Sequence, residues 1–145
     1  MQTDDAGKAF IQGNESAGGP LLTIKPDTGG KQQIGWGHNL LPGEAAEFAN
    51  GITYDQAVTL FDDDINQCDD AVAGLNWTLT QNQWNALADF AYEFGGGGLR
   101  QLAAHGQDQV PVQLVRWVHA LVEGVETVLP GLVVRRNKEI ALWNS

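Results

Sequence analysis

The sequence predicts an α+β protein with a bilobal, single-domain plan over residues 1–145. A small antiparallel β-sheet lobe at about 16–52 is joined by a long helix at about 53–75 to a larger helical lobe at about 76–145. Three observations carry this. Residues 18–38 crowd six glycines and two prolines around the β-leaning segments Leu22-Thr23-Ile24 and Gln33-Ile34, a composition of short strands and tight turns. Thr53-x-x-Gln56 is a capping box, after which Ala57, Leu60, Phe61, Ile65, Cys68, Val72 and Leu75 recur at helical spacing. Thr80-x-x-Gln83 is a second box, opening a helix in which Trp84, Leu87, Ala88, Ala91 and Phe94 make more than one side apolar.

The other elements follow in order. Residues 4–14 read as a short helix with Ala6, Phe10 and Ile11 on one face, ending near Glu15 after Gly13 and Asn14. It is expected to join the helical lobe. A tight turn is expected at Asp27-Thr28-Gly29-Gly30, where Asp and Gly suit the backbone. Residues 39–52 read as a loop with a short helix at 43–49. Gly95 to Gly98 are expected to stop the central helix. A short helix at 99–104, a turn at His105-Gly106 and a helix at about 110–122 come next. Leu129-Pro130-Gly131 then leads into a final helix over 131–143.

Charge narrows the partners. Eight basic against 18 acidic residues leave a net charge of −10. Phosphate-backbone binding depends on Lys and Arg, so this balance argues against nucleic acid. No apolar run reaches the roughly 20 residues of a membrane span, and the start, Met-Gln-Thr-Asp-Asp, is too acidic for a classical secretory signal. The single cysteine, Cys68, precludes an internal disulfide. No His/Cys cluster has zinc spacing, and no cofactor is expected.

The candidate chemistry lies between Glu15 and His38. A carboxylate at a helix end and a second, Asp27, in a Gly-rich turn can face each other across a cleft. Glycoside hydrolysis uses such a pair, one acid protonating the leaving oxygen and the other handling water or the sugar cation. Each residue also has a plainer reading: Glu15 as an exposed loop residue, Asp27 as a turn cap, His38 as a structural histidine. The cluster Asp62-Asp63-Asp64 with Asp69-Asp70 lacks calcium-loop spacing and reads as a solvated helix face. Asp64 is the exception, because it lies four residues from both Leu60 and Cys68, beside the apolar stripe. A carboxylate there needs a partner, and His38 is one. Tyr92 and Trp117 read as core or cleft-wall aromatics, and Arg135 and Arg136 as solubility or ion-pair residues.

Several segments in order resemble one family. Glu15, eleven residues, Asp27, five residues and Gln33-Ile34-Gly35-Trp36-Gly37-His38 are similar to the hallmark of the phage-type lysozymes, the endolysins of glycoside hydrolase family 24. Leu79-Thr80-Gln81-Asn82-Gln83-Trp84-Asn85-Ala86-Leu87, Arg116-Trp117 and Leu129-Pro130-Gly131-Leu132 with Arg135-Arg136 resemble the family's later segments, so the likeness covers nearly the whole chain.

The resemblance implies that Glu15 donates a proton to the β-1,4 linkage between N-acetylmuramic acid and N-acetylglucosamine, with inversion of configuration. It implies that Asp27 stabilises the cation or orients water. It makes His38 and Asp64 a pair tying sheet to long helix. It places Asn39, Tyr92 and Arg116 along the sugar groove, and gives Arg135 or Arg136 a carboxylate partner near Glu15. Two departures stand out: the Glu–Asp gap is three residues longer, and Gln33 replaces the family's water-holding threonine. The implied partner is peptidoglycan glycan strands, bound by a monomer with no stable membrane association. The implied setting is synthesis in a host cytoplasm without a signal peptide and action in the periplasm and wall after a holin permeabilises the membrane. Three functions remain open: a muramidase, a lytic transglycosylase using Glu15 alone, and a catalytically silent wall-binding or interaction module.

Overall fold

A computed structural model describes residues 1–145. The chain divides into two compact units, Ala9–Gln67 and Met1–Lys8 with Cys68–Ser145. Helix α1 (Asp5–Glu15) and helix α3 (Tyr54–Ala73) each contribute to both, so the first helix does not belong wholly with the helical part.

In the unit Ala9–Gln67, strands β1 (Leu21–Pro26), β2 (Gln32–Gly35) and β3 (His38–Asn39) form an antiparallel sheet in the order β1-β2-β3. The turn between β1 and β2 is set by Asp27, whose Oδ1 accepts from the N–H groups of Gly29 and Lys31, both at 2.8 Å. Between β2 and β3 the chain reverses through Gly35, Trp36 and Gly37, with φ of +65° and +75° at the two glycines. Side chains other than glycine rarely adopt that conformation. Trp36 is buried and meets the rings of Tyr54 and Phe61 on α3 edge-on, at 5.7 and 5.5 Å. The turn is thereby pinned to the long helix. Helix α2 (Glu44–Glu47) follows, and the Thr53–Gln56 capping box is formed in both directions, at 2.8 and 3.1 Å. Ile11, Ile34, Phe48, Ile52, Ala57, Phe61 and Ile65 are buried, whereas Ala6, expected on the inner face of α1, is exposed.

In the other unit, α4 (Gln81–Ala103) opens with the Thr80–Gln83 capping box. Every residue from Trp84 to Ala91 is buried, which accounts for a helix apolar on more than one side. The glycine run does not end this helix. Only Gly95 leaves helical geometry (φ 70°, ψ 176°), and the chain resumes a helix through Gly96–Gly98 to Ala103. Glycine permits helix as well as breaking it, and here the run makes a kink. Gly98 is needed helical: a Cβ there would lie 2.6 Å from that of Phe94.

A second expectation also fails. Helix α5 is only Val110–Leu114, and residues expected to continue it form a hairpin, β4 (His119–Val122) with β5 (Val125–Val128). Its two-residue turn, Glu123-Gly124, has φ of +50° and +77°, as a primed hairpin turn requires. The flanking Val and Thr residues are β-formers. Helix α6 (Pro130–Trp143) closes the chain. No helix is long and apolar enough to cross a membrane.

Asp69 overturns the reading of the acidic run as wholly solvated. It is buried, and its carboxylate accepts from the Thr3 N–H (3.0 and 3.1 Å), the Thr3 hydroxyl (2.6 Å) and the Trp84 indole N–H (2.6 Å). Asp63 and Asp70 are exposed as expected.

Candidate active site

In the unit Ala9–Gln67 two of the predicted residues, Glu15 and Gln33, contact the same glycine, Gly37. Glu15 is the last residue of α1 and is half-buried. Its Oε2 stands 2.6 Å from where a Cβ on Gly37 would sit, so a side chain at position 37, already disfavoured by the positive φ, would also displace the Glu15 carboxylate. The carbonyl oxygen of Gly37 accepts from Gln33 Nε2 at 3.4 Å, and Asn39 Oδ1 accepts from the same nitrogen at 3.1 Å. The Glu15 carboxylate and the Gln33 amide therefore stand against the same residue.

His38, next along, is held from both sides. Its Nδ1 is 2.8 Å from Asp64 Oδ2 on α3, and its Nε2 is 2.8 Å from Glu44 Oε2 on α2. A ring nitrogen facing a carboxylate must carry its hydrogen, and both do, so the ring is an imidazolium. The Asp64 hydrogen bond raises the His38 pKa from 6.5 to about 9 against the opposing effect of burial, with Glu44 adding to the rise. Burial pushes the Glu44 carboxyl up, but the Leu41 N–H and His38 outweigh it and leave its pKa lowered. Strand β3, helix α2 and helix α3 thus meet at one cation. The pairing of His38 with Asp64 was readable from helical spacing; Glu44 was not, since it opens a one-turn helix after Pro42-Gly43 that is too short to show an inward stripe.

Asp27 closes the β1–β2 turn two residues beyond Lys25, which pairs with Gln33 across the ladder. One of its oxygens caps the turn, as the plainer reading held.

Tyr92, Arg116 and Arg135 lie in the other unit. Tyr92 is half-buried and Arg116 exposed. Arg135 and Arg136 are buried, not solubility residues. Arg135 makes a bidentate pair with Asp89 (Nε–Oδ2 3.0 Å, Nη2–Oδ1 2.9 Å) and reaches Glu93 at 3.6 Å. Arg136 donates to Glu93 and, at 2.6 Å, to Glu139, with its guanidinium 5.2 and 5.1 Å from the ring centres of Phe90 and Phe94. Burial, reinforced by Asp89, raises the Glu139 pKa well above the usual carboxyl range. Trp117 packs edge-on against Phe90 at 5.0 Å.

A phage lysozyme family model matches residues 15–139. An endolysin of Acyrthosiphon pisum secondary endosymbiont phage 1 is 32% identical over 128 residues, spanning 80% of this chain and 82% of its own. Among solved structures, the muramidase domain of SpmX from Asticaccaulis excentricus superposes with a TM-score of 0.78 at 25% identity, covering 100% of this chain and 99% of that one. The endolysin from Escherichia coli O157:H7 phage FAHEc1 superposes with a TM-score of 0.81 at 24% identity, covering 99% and 93%. With a family match that begins at Glu15 and takes in every site residue above, the chain belongs to the phage lysozyme family of peptidoglycan hydrolases.

Proposed function

We propose that this glycoside hydrolase is a muramidase, cleaving the β-1,4 bond between N-acetylmuramic acid and N-acetylglucosamine by direct addition of water. Glu15 gives its proton to the glycosidic oxygen as the bond to C1 breaks. A water then attacks C1 and gives up a proton to solvent, from which Glu15 is reprotonated, so that one water is consumed per cleavage. Gln33 stands in the water-holding position, and Asp27 offers its uncapped oxygen to the developing cation. Tyr92 and Arg116 take the sugar contacts, and Arg135 supports the helical unit from within. The protein works as a monomer on glycan strands, with no cofactor, once the membrane has been permeabilised.

The single observation supporting this most is that the Glu15 carboxylate and the Gln33 amide both stand against Gly37. The test is a digest of purified sacculi analysed by mass spectrometry. Hydrolysis leaves reducing ends one water heavier than the 1,6-anhydro ends of a lytic transglycosylase. That second reading draws support from Asp27, since one of its oxygens is engaged by the turn and a transglycosylase needs Glu15 alone.

A further inference from the structure

Gln33 and Asn39 face each other directly across β2 and β3, so their side chains share one face of the sheet. Two contacts decide which way round both amides stand. Gln33 Nε2 lies 3.4 Å from the Gly37 carbonyl oxygen and 3.1 Å from Asn39 Oδ1. A backbone carbonyl only accepts, so the end of the Gln33 amide facing it is the NH2 group. The second hydrogen on that nitrogen points to Asn39, which therefore offers its oxygen. This polarity starts from a backbone atom that cannot flip. It leaves Gln33 Oε1 as the end of the amide not used by the sheet.

The Gly37 contact alone is long for a hydrogen bond. Without Asn39 the Gln33 amide is held by that one weak interaction and is free to turn end for end. The two ends act oppositely on water. An amide oxygen accepts a hydrogen from water and leaves the water's lone pairs for attack; an NH2 donates into a lone pair and engages it. A hydroxyl, which both donates and accepts, has no such ambiguity.

We propose that Asn39 is a positioning residue: it fixes the Gln33 amide so that Oε1, not Nε2, meets the water that attacks C1. This rests on the muramidase reading in which Gln33 holds that water. The glutamine at this position thus works only with an acceptor opposite it on β3.

The test is steady-state kinetics on soluble glycan fragments with a set of variants. Asn39→Ala should lower kcat roughly tenfold with KM nearly unchanged, the loss of one orienting hydrogen bond. Asn39→Asp still presents an acceptor to Nε2 and should recover most of the rate. In a Gln33→Ala background, Asn39→Ala should have no further effect. A raised KM with kcat intact in Asn39→Ala, or a further loss in the Gln33→Ala background, overturns the proposal and makes Asn39 a sugar contact. A normal rate for Gln33→Ala alone removes Gln33 from the water site and this proposal with it. A slow Gln33→Ala beside a normal Asn39→Ala removes only the role of Asn39. One readout is independent of turnover: the Gln33 side-chain amide NMR signals should move in Asn39→Ala and return in Asn39→Asp. Unmoved signals in Asn39→Ala refute the coupling.

Discussion

The carboxylate–imidazolium–carboxylate bridge at His38 makes a quantitative prediction about pH. His38 holds its proton up to about pH 9 in the folded protein against 6.5 ordinarily. One pKa unit is worth about 1.36 kcal/mol, so the bridge is worth on the order of 3 kcal/mol to the folded state. The sign follows from which state binds more protons. Below pH 6.5 both folded and unfolded chains carry the proton, and the stabilisation is fully present. Between 6.5 and about 9 only the folded chain keeps it, so stability falls across that window and levels off above it. Urea unfolding at half-unit steps from pH 6 to 9.5, for the protein and for His38→Leu, isolates this, because other groups titrating in the window cancel in the difference. The gap between the two proteins should shrink by about 3 kcal/mol from pH 6 to pH 9.5. Asp64→Asn should shrink it more than Glu44→Gln, because the Asp64 bond is the larger cause. A gap independent of pH would contradict an imidazolium held between Asp64 and Glu44.

Other predictions rest on single contacts. Gly37→Ala places a methyl against Glu15 at a positive φ; the backbone strain costs about 1 kcal/mol, and sacculus hydrolysis should drop far more than thermal stability. Asp69→Ala strands the Thr3 N–H and hydroxyl and the buried Trp84 N–H, and should lower unfolding stability by about 3 kcal/mol in denaturant titration. Glu139→Gln should be tolerated within about 1 kcal/mol at low pH, where the native carboxyl, its pKa raised by burial, keeps its proton and an amide resembles it. The native carboxyl's contribution is present at low pH and fades as pH rises above the ordinary carboxyl value, so Glu139→Gln should flatten that decline.

Much of the fold was legible from local chemistry. Two Thr-x-x-Gln capping boxes marked the starts of α3 and α4, and both boxes are formed. Glycines at positions 35 and 37 and Asp27 at a turn marked the sheet, because each satisfies a backbone demand that needs no tertiary context. The failures share a cause too. At Gly95–Gly98 and over residues 115–122 local propensity is a poor guide, because glycine and valine serve several backbones and packing decides. The Val-rich segment around Glu123-Gly124 did carry a hairpin signal, a two-residue turn with glycine second, which a helical reading passed over.

The site divides the same way. Asp64 was found through helical spacing to Leu60 and Cys68, and the same rule would have found Asp69, which falls with Ile65, Cys68 and Val72 on the inward stripe. Glu44, Asp89 and Glu93 were not readable as partners, because their pairing with His38, Arg135 and Arg136 depends on how separate segments pack. The orientation of the Gln33 amide is legible only in three dimensions, since it originates at the Gly37 carbonyl.

The most direct measurement is a mass-resolved muropeptide digest with the protein and with Glu15→Gln side by side. Water-added, reducing-end fragments from the first and none from the second are the predicted result. Anhydro ends, an absence of soluble fragments, or an active Glu15→Gln protein would contradict acid-assisted hydrolysis at Glu15.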